Sequence, residues 1–312
     1  MCGWPWVVTD SPLPHRSPPI QWHLSLITPD QISDADGVAR HYNELDQFYR
    51  EVWGEHVHHG YWETGRESPD QAVEKLIDVL LGKLTLPADA DVCDVGCGYG
   101  ATSRYLRNKY QFRVTGVTVS QSQWAYASEQ SADAEWPKFL LQNWLQNELE
   151  SDAYDLIVSI ECFSHIVDKQ RYFDEIARVL KPGGQAGLAV WLANPQASNW
   201  AVRHLLKPIC QEGRLPSMAA TPECEEMIAN AGLQLVSFED ASRRVSKTWS
   251  ICARRLATKI ATRRKYLRTL MDASTQNRIF ALTLFRIMYA YWSGAMQYGL
   301  FALRKPLPGD FE

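Results

Sequence analysis

The segment Asp91-Val92-Cys93-Asp94-Val95-Gly96-Cys97-Gly98-Tyr99-Gly100 constrains this chain more than any other. A short apolar run reads as a strand and passes into three glycines at alternate positions. A helical pattern from Ala101 follows at once. Glycines there let the chain turn sharply and let a ligand approach the backbone closely. The start of the helix presents free N–H groups to that ligand. The pattern is that of a nucleotide site in an α/β fold.

The identity of the nucleotide is the next question. Gly96, Gly98 and Ala101 also satisfy the dinucleotide fingerprint G-x-G-x-x-G/A. Two features point elsewhere. Asp94 lies two residues before the first glycine, where a carboxylate accepts from an ammonium or ribose donor and repels a pyrophosphate. The following predicted strand, Arg113–Val119, ends in Thr118-Val119-Ser120 and not in the acid expected of an NAD site. S-adenosylmethionine has no phosphate and carries an amino acid group and a sulfonium, so an acidic turn suits it. The reading is a methyltransferase. The alternatives are an NAD-dependent redox enzyme and a silent membrane-binding scaffold, the latter opposed by the intact Asp94 and glycines.

Length and composition set the frame. The 312 residues fit one large domain with insertions or two small ones. The apolar share of 46% and charged share of 22% suit a soluble globular chain. No run of 18 apolar residues occurs, so no transmembrane helix is expected. Residues 1–30 are rich in proline and lack a basic stretch followed by an apolar core. They read as a flexible extension and not as a secretory signal. Seven cysteines without metal-ligand spacing argue for free thiols, no metal centre and a reducing, cytoplasmic setting. The net charge of −4 conceals a block from Arg243 to Arg268 with ten Lys or Arg and no acid. Nucleic-acid binding is not expected, because the overall charge is negative and no nucleic-acid module is present.

Along the chain, helices are predicted over Ile32–Trp53 and Pro69–Leu84, separated by a histidine-rich turn, Glu55 to Trp62. Alternating units follow: strand Asp91–Val95, helix Ala101–Tyr110, strand Arg113–Val119, helix Gln121–Ser131, a weak strand Phe139–Gln142, strand Tyr154–Ile160, helix Gln170–Leu180, a Lys181–Gly184 turn and strand Gln185–Leu192. Helix Pro222–Ala231, strand Leu233–Phe238, a long helical region over 246–296 and strand Gln297–Leu303 complete it. Such alternation implies a Rossmann-like, doubly wound, mostly parallel sheet with helices on both faces. Residues 31–312 form the expected catalytic domain, with a helical cap at 31–85 and helical cover insertions at 193–222 and 243–296.

Asp94-x-Gly-x-Gly-x-Gly100, Tyr154-Asp155-Leu156-Ile157 and Lys181-Pro182-Gly183-Gly184 together resemble a class I S-adenosylmethionine-dependent methyltransferase. Three further segments narrow the likeness. Trp53-Gly54-Glu55-His56-Val57-His58-His59-Gly60-Tyr61-Trp62 is similar to the entry segment of tocopherol C-methyltransferases. Gly116-Val117-Thr118-Val119-Ser120-Gln121-Ser122-Gln123 resembles a segment shared by that group and the cyclopropane fatty-acid synthases. The ending Gly299 to Pro306 matches in style. The resemblance spans roughly residues 40 to 306. It implies methylation of a lipophilic, prenylated small molecule, most directly on carbon of a chromanol or quinol ring. Alternatives are carbon methylation of an isoprenoid diphosphate and methylation of a natural-product nitrogen or oxygen. The chain departs from the group after the fourth strand, where Ser164-His165 replaces a Glu-His pair.

Site residues follow from both lines. Asp94, Gly96, Gly98 and Gly100 are expected to hold the cofactor's amino acid end. Thr118 and Gln123 stand in for the usual ribose-binding acid, or only cap the next helix. Asn143 and Trp144, with Gln142, sit where the fold meets the adenine. His165 is the candidate general base, since an imidazole titrates near neutrality. Glu161 is the alternative base or a cation stabiliser. His59, or His58, is expected to touch the cofactor or the acceptor. Trp53, Tyr61, Trp62, Phe163, Trp191 and Trp200 are candidate pocket aromatics. The basic block carries Trp249, Leu256, Ile260 and Leu267 at helical spacing, so it reads as a solvated face, a diphosphate site or a peripheral membrane contact.

Overall fold

The computed structural model describes residues 26–30, 37, 40, 43, 53–262 and 277–310. The N-terminal extension up to residue 25, most of the predicted Ile32–Trp53 helix, and Arg263, Arg264, Leu267 and Arg268 lie outside the described residues. The part of the extension that is described is anchored: Ile27 pairs with Met218 as an isolated antiparallel bridge.

The apolar run Asp91–Val95 forms β1, with its last four residues buried. Such unbroken burial is what a central parallel strand needs, since both its faces are covered. Around it stand β2 (Arg113–Thr118), β3 (Lys138–Leu141), β4 (Tyr154–Ile160), β5 (Leu180–Ala193), β6 (Gln234–Asp240) and β7 (Met296–Arg304), in the order β3-β2-β1-β4-β5-β7-β6. The first five strands are parallel, and β7 runs antiparallel between β5 and β6. The turn predicted at Lys181–Gly184 is instead the irregular start of β5, with a register shift opposite Tyr154 and Leu156.

Helices cover both faces because successive strand residues point to opposite sides. Val92 of β1 packs into one core with α1 (Pro69–Leu81) and α2 (Ala101–Tyr110). Its neighbour Cys93 packs into the other, with α4 (Lys169–Val179) and α6 (Thr221–Asn230). Between β2 and β3 lies α3 (Gln121–Glu129). The helix starts follow from capping chemistry: Ser68 and Gln71 make a reciprocal capping box before α1, and Ser120 and Asp168 cap α3 and α4. Helix α1 stops at Leu81, three residues earlier than predicted, with Gly82 as its C-cap.

The predicted cover is present as three helices. Residues 199–212 form α5, whose middle turn, Val202–Leu206, is a π-helix. Lys247–Thr262 is α7 and Asn277–Trp292 is α8. Residues 54–62 thread between α1 and α7: Tyr61 N–H donates to the Ala72 carbonyl, Trp62 N–H to that of Arg244, and Gly60 N–H to Thr248 Oγ1.

The sheet order reverses at β1, since the chain first moves to β2 and β3 and then returns to β4 on the other side. A crevice opens beyond the carboxyl ends of strands at such a reversal. The glycine turn after β1 and the residues after β4 meet there. A Cβ on Gly96 would stand 2.5 Å from the Cys162 Cβ.

Gly100 opens α2 at φ 75°, and a Cβ there would meet the Phe139 ring at 2.5 Å. Gly100→Ala is therefore expected to lower stability by about 1–3 kcal/mol through overpacking and backbone strain. Chemical denaturation checks this.

Candidate active site

The crevice is a cleft with two sides. One side is built by β1, β2 and the turn after β3. The other is built by the turn after β4, β5 and the cover helices.

On the first side, Gly96, Gly98, Thr118, Gln123, Gln142, Asn143 and Trp144 line the cleft together. Gly98 has φ 54°, and a Cβ on it would meet nothing nearer than Gln123 Nε2 at 3.9 Å. Its backbone is open to close approach by a ligand. Gly100 differs from expectation. It does not line the cleft, because its bare Cα is pressed against Phe139. Thr118 Oγ1 donates to Gln123 Oε1 at 3.0 Å, and both side chains are buried. The Trp144 indole N–H donates to the Tyr172 carbonyl at 3.2 Å, which fixes the ring that walls the cleft. Asn143 Oδ1 accepts from Leu145 N–H and so starts the turn that carries Trp144.

Asp94 lies under the glycine turn, 2% exposed and one step behind the cleft wall. Ser103 Oγ donates to its Oδ2 at 2.6 Å. Burial pushes the carboxyl up to about 6, against the pull of the Ser103 bond. A buried negative charge beneath the turn favours a bound group that is itself cationic. The amino acid end of S-adenosylmethionine fits that floor, and an open glycine backbone with an aromatic wall fits its nucleoside.

On the second side, β4 ends at Glu161, whose φ of 60° is a strained conformation for a residue with a side chain. Its Oε1 accepts three hydrogen bonds, from His59 N–H at 2.7 Å, His59 Nδ1 at 2.8 Å and Tyr298 Oη at 2.9 Å. The Trp249 indole N–H reaches His59 Nε2 at 2.6 Å. An indole N–H only donates. His59 therefore accepts at Nε2 and donates from Nδ1. Burial alone would push the Glu161 carboxyl up, but the His59 ring and backbone beside it hold it well below the usual range. Glu161 lines the cleft as a fixed anion, and its Oε2 has no hydrogen-bond partner among the described residues. A carboxylate held this acidic stabilises positive charge and is a poor proton acceptor near neutrality.

His59 is 0% exposed and does not line the cleft. The expected contact with the acceptor is absent because both ring nitrogens are committed. His58 turns the opposite way and reaches the His59 carbonyl at 2.8 Å and His56 at 3.2 Å. Burial pushes His56 down to about 3 and lowers His58 as well. The cluster is a neutral brace for the entry segment. No group of three or more metal-ligating side chains occurs among the described residues.

Ser164 and His165 do line the cleft, on a single 3₁₀ turn, Phe163–His165. Lys169 holds that turn, and nothing in the sequence pattern singled it out. Its ammonium is 3% exposed and donates to the carbonyls of Phe163 at 3.0 Å and Ile166 at 3.1 Å, the two residues that bracket Ser164 and His165. It also lies 4.5 Å above the Phe163 ring. Burial lowers it to about 8.

Of the candidate pocket aromatics, Trp53 and Trp191 line the cleft. Tyr61, Trp62 and Phe163 are buried in packing, and Trp200 is 56% exposed outside. The missed member is Trp249, whose ring centroid lies 5.2 Å from that of Trp53 and 5.6 Å from that of Trp191. In the described part of the basic block, Trp249 and Leu256 are 2% and 6% exposed and face inward, and Trp249 lines the cleft. Arg244, Lys247 and Arg255 donate to the carbonyls of Glu63, Gly65 and Trp53. No Lys or Arg lines the cleft among the described residues.

Comparison with known proteins agrees with this geometry. The family described as mycolic acid cyclopropane synthetase matches residues 30–291. The chloroplastic tocopherol O-methyltransferase of Arabidopsis thaliana is 28% identical over 296 residues, covering 87% of this chain and 82% of the relative. The 2-methyl-6-phytyl-1,4-hydroquinone methyltransferase of Synechocystis is 29% identical over 67% of this chain and 69% of its own. The cyclopropane synthase MmaA2 of Mycobacterium tuberculosis shares the fold, with a TM-score of 0.76 at 24% identity, over 88% of this chain and 100% of that one.

Two outcomes are expected. Asp94 loses its charge as pH falls through about 6. Affinity for S-adenosylhomocysteine, which keeps the ammonium, should then be flat above neutrality and fall by about tenfold per pH unit well below 6. Calorimetry across this range checks it, and Asp94→Asn should flatten the dependence. Lys169→Met should lower turnover by about tenfold or more while that affinity stays within about twofold.

Proposed function

The chain belongs to the mycolic acid cyclopropane synthetase family and is an S-adenosylmethionine-dependent methyltransferase; from that premise we propose that its acceptor is a lipophilic small molecule without a phosphate, most directly a chromanol or quinol ring methylated on carbon. The observation that carries this is the composition of the acceptor side. Trp53, Trp191, Trp249, Ile160, Leu284 and Ile287 make an apolar wall around the fixed anion Glu161, while the other lining acid, Glu212, is paired with Arg286. An isoprenoid diphosphate brings several negative charges and needs arginine, lysine or a metal to hold them. The described lining holds no arginine or lysine. The names of the two plant-type and cyanobacterial relatives point to the same acceptor class.

The cofactor supplies an electrophilic methyl group on a sulfonium. As that methyl is transferred, positive charge passes to the acceptor. The Glu161 carboxylate, fixed in place before reaction, lowers the cost of this charge, and the faces of neighbouring indoles add to it. The His59, Tyr298 and Trp249 network keeps Glu161 anionic and aimed. His165, on the turn held by Lys169, is the base in this reading and accepts the proton from a ring hydroxyl or ring carbon. The cover helices exclude water and hold the acceptor in line.

Glu161 among three indoles supports a second reading, methyl transfer to a lipophilic amine, whose cationic product the same wall would hold. Turnover of labelled cofactor against prenylquinols, isoprenoid diphosphates and lipophilic amines separates the readings. Turnover with the diphosphates alone would overturn both. With the preferred acceptor, His165→Ala should lower turnover by about 10²–10⁴-fold with cofactor affinity intact. Normal turnover in that variant, with loss in Glu161→Gln, would remove the base from His165.

A further inference from the structure

Eight large hydrophobic side chains are exposed among the described residues, and four of them lie on the cover helices. Phe285, Tyr289 and Trp292 of α8 are 67%, 45% and 78% exposed, and Trp200 of α5 is 56% exposed. Spacings of four and three residues put the first three on one helix face. Ring centroids of Tyr289 lie 5.3 Å from Trp292 and 6.4 Å from Trp200. The other four exposed apolar residues, Leu141, Val167, Val236 and Leu307, lie on other elements or in loops.

The opposite face of α8 is apolar too. Leu284 and Ile287 are 2% exposed and line the acceptor side of the cleft. A surface helix that buries one stripe normally turns a polar face outward. This one turns out aromatic rings, and a contiguous aromatic patch marks an interaction surface.

Charge identifies the partner. Glu212 is the sole acid in residues 199–212 and 277–292, and it is spent on Arg286 and Thr283. Arg203 is exposed and Lys207 half-exposed on α5, next to Trp200. The outward charge beside the rings is thus positive. Tryptophan and tyrosine favour the boundary between headgroups and acyl chains, and cationic neighbours favour anionic headgroups. A second copy of the same face would instead bring like charges together. No helix among the described residues is long and apolar enough to cross a membrane, so contact by this patch would be peripheral.

We propose that the outer face of α5 and α8, through Trp200, Phe285, Tyr289 and Trp292, docks on the surface of an anionic phospholipid bilayer, placing the acceptor side of the cleft next to the lipid. The proposal rests on the lipophilic-acceptor reading. It replaces the inward-facing stripe of α7 with a surface that is exposed.

The test is co-sedimentation of the full chain with phosphatidylcholine vesicles, with and without phosphatidylglycerol. Binding is expected to the mixed vesicles and to weaken at high salt. The double variant Phe285→Ser/Trp292→Ser should bind roughly tenfold or more weakly. Arg203→Glu should weaken binding to the mixed vesicles only. Both variants change exposed side chains outside the cleft, so turnover of a detergent-dispersed acceptor should be unchanged, which keeps failure here distinct from failure of the acceptor reading. Absence of vesicle binding, or binding indifferent to the double variant, overturns the proposal. So does a concentration-dependent dimer, seen by light scattering, that the double variant dissolves.

Discussion

One carboxylate oxygen ties the molecule together. Glu161 Oε1 gathers donors from residue 59, before the sheet begins, and from residue 298, in the last strand of the chain. Through His59 it also commits Trp249 of α7. A buried anion is costly unless hydrogen-bonded, and here the bonds are supplied only if the entry segment, β7 and the cover all close on the end of β4. Loss of any one partner leaves this half-buried charge less compensated, which is more damaging than loss of an ordinary surface contact. The strained backbone at Glu161 is consistent with a residue held by its surroundings and not by local preference.

That arrangement divides the cleft into two chemistries. The cofactor side is made of backbone and neutral polar groups over a buried carboxylate. The acceptor side is made of indoles and aliphatic side chains around the Glu161 carboxylate. Both halves favour positive charge, and that bias suits the sulfonium of the cofactor. His58 and His59 have their ring nitrogens spent on neighbours. A lysine that looked ordinary holds the turn that carries His165.

Much of the fold was legible because its signals are local. The strand–turn–helix at Asp91–Tyr110 combines a buried apolar run, glycines and a helix start within twenty positions, and it appears with the predicted bounds. Alternating strands and helices implied the parallel sheet, and Thr118, Gln123, Asn143 and Trp144 lie in the cleft because they stand at the carboxyl end of a strand or in the few residues after it. Element ends were less legible, since Gly82 and the Lys181–Gly184 segment obey packing as much as pattern.

What the sequence determined by itself is the cofactor side: short-range chemistry, written in consecutive residues, whose meaning depends only on the turn they make. What the tertiary structure decided is the acceptor side. Trp249 stands on an amphipathic basic helix, and periodicity alone cannot say whether its apolar stripe meets a membrane or a cleft. His59 and Glu161 are 102 positions apart, and Gly100 carries the same fingerprint as Gly98 while packing against Phe139. Which side of a helix faces inward, and which nitrogen of a histidine is free, are set by contacts between distant segments, and those contacts exist only once the sheet has brought the ends of β1, β4 and β5 together under the cover.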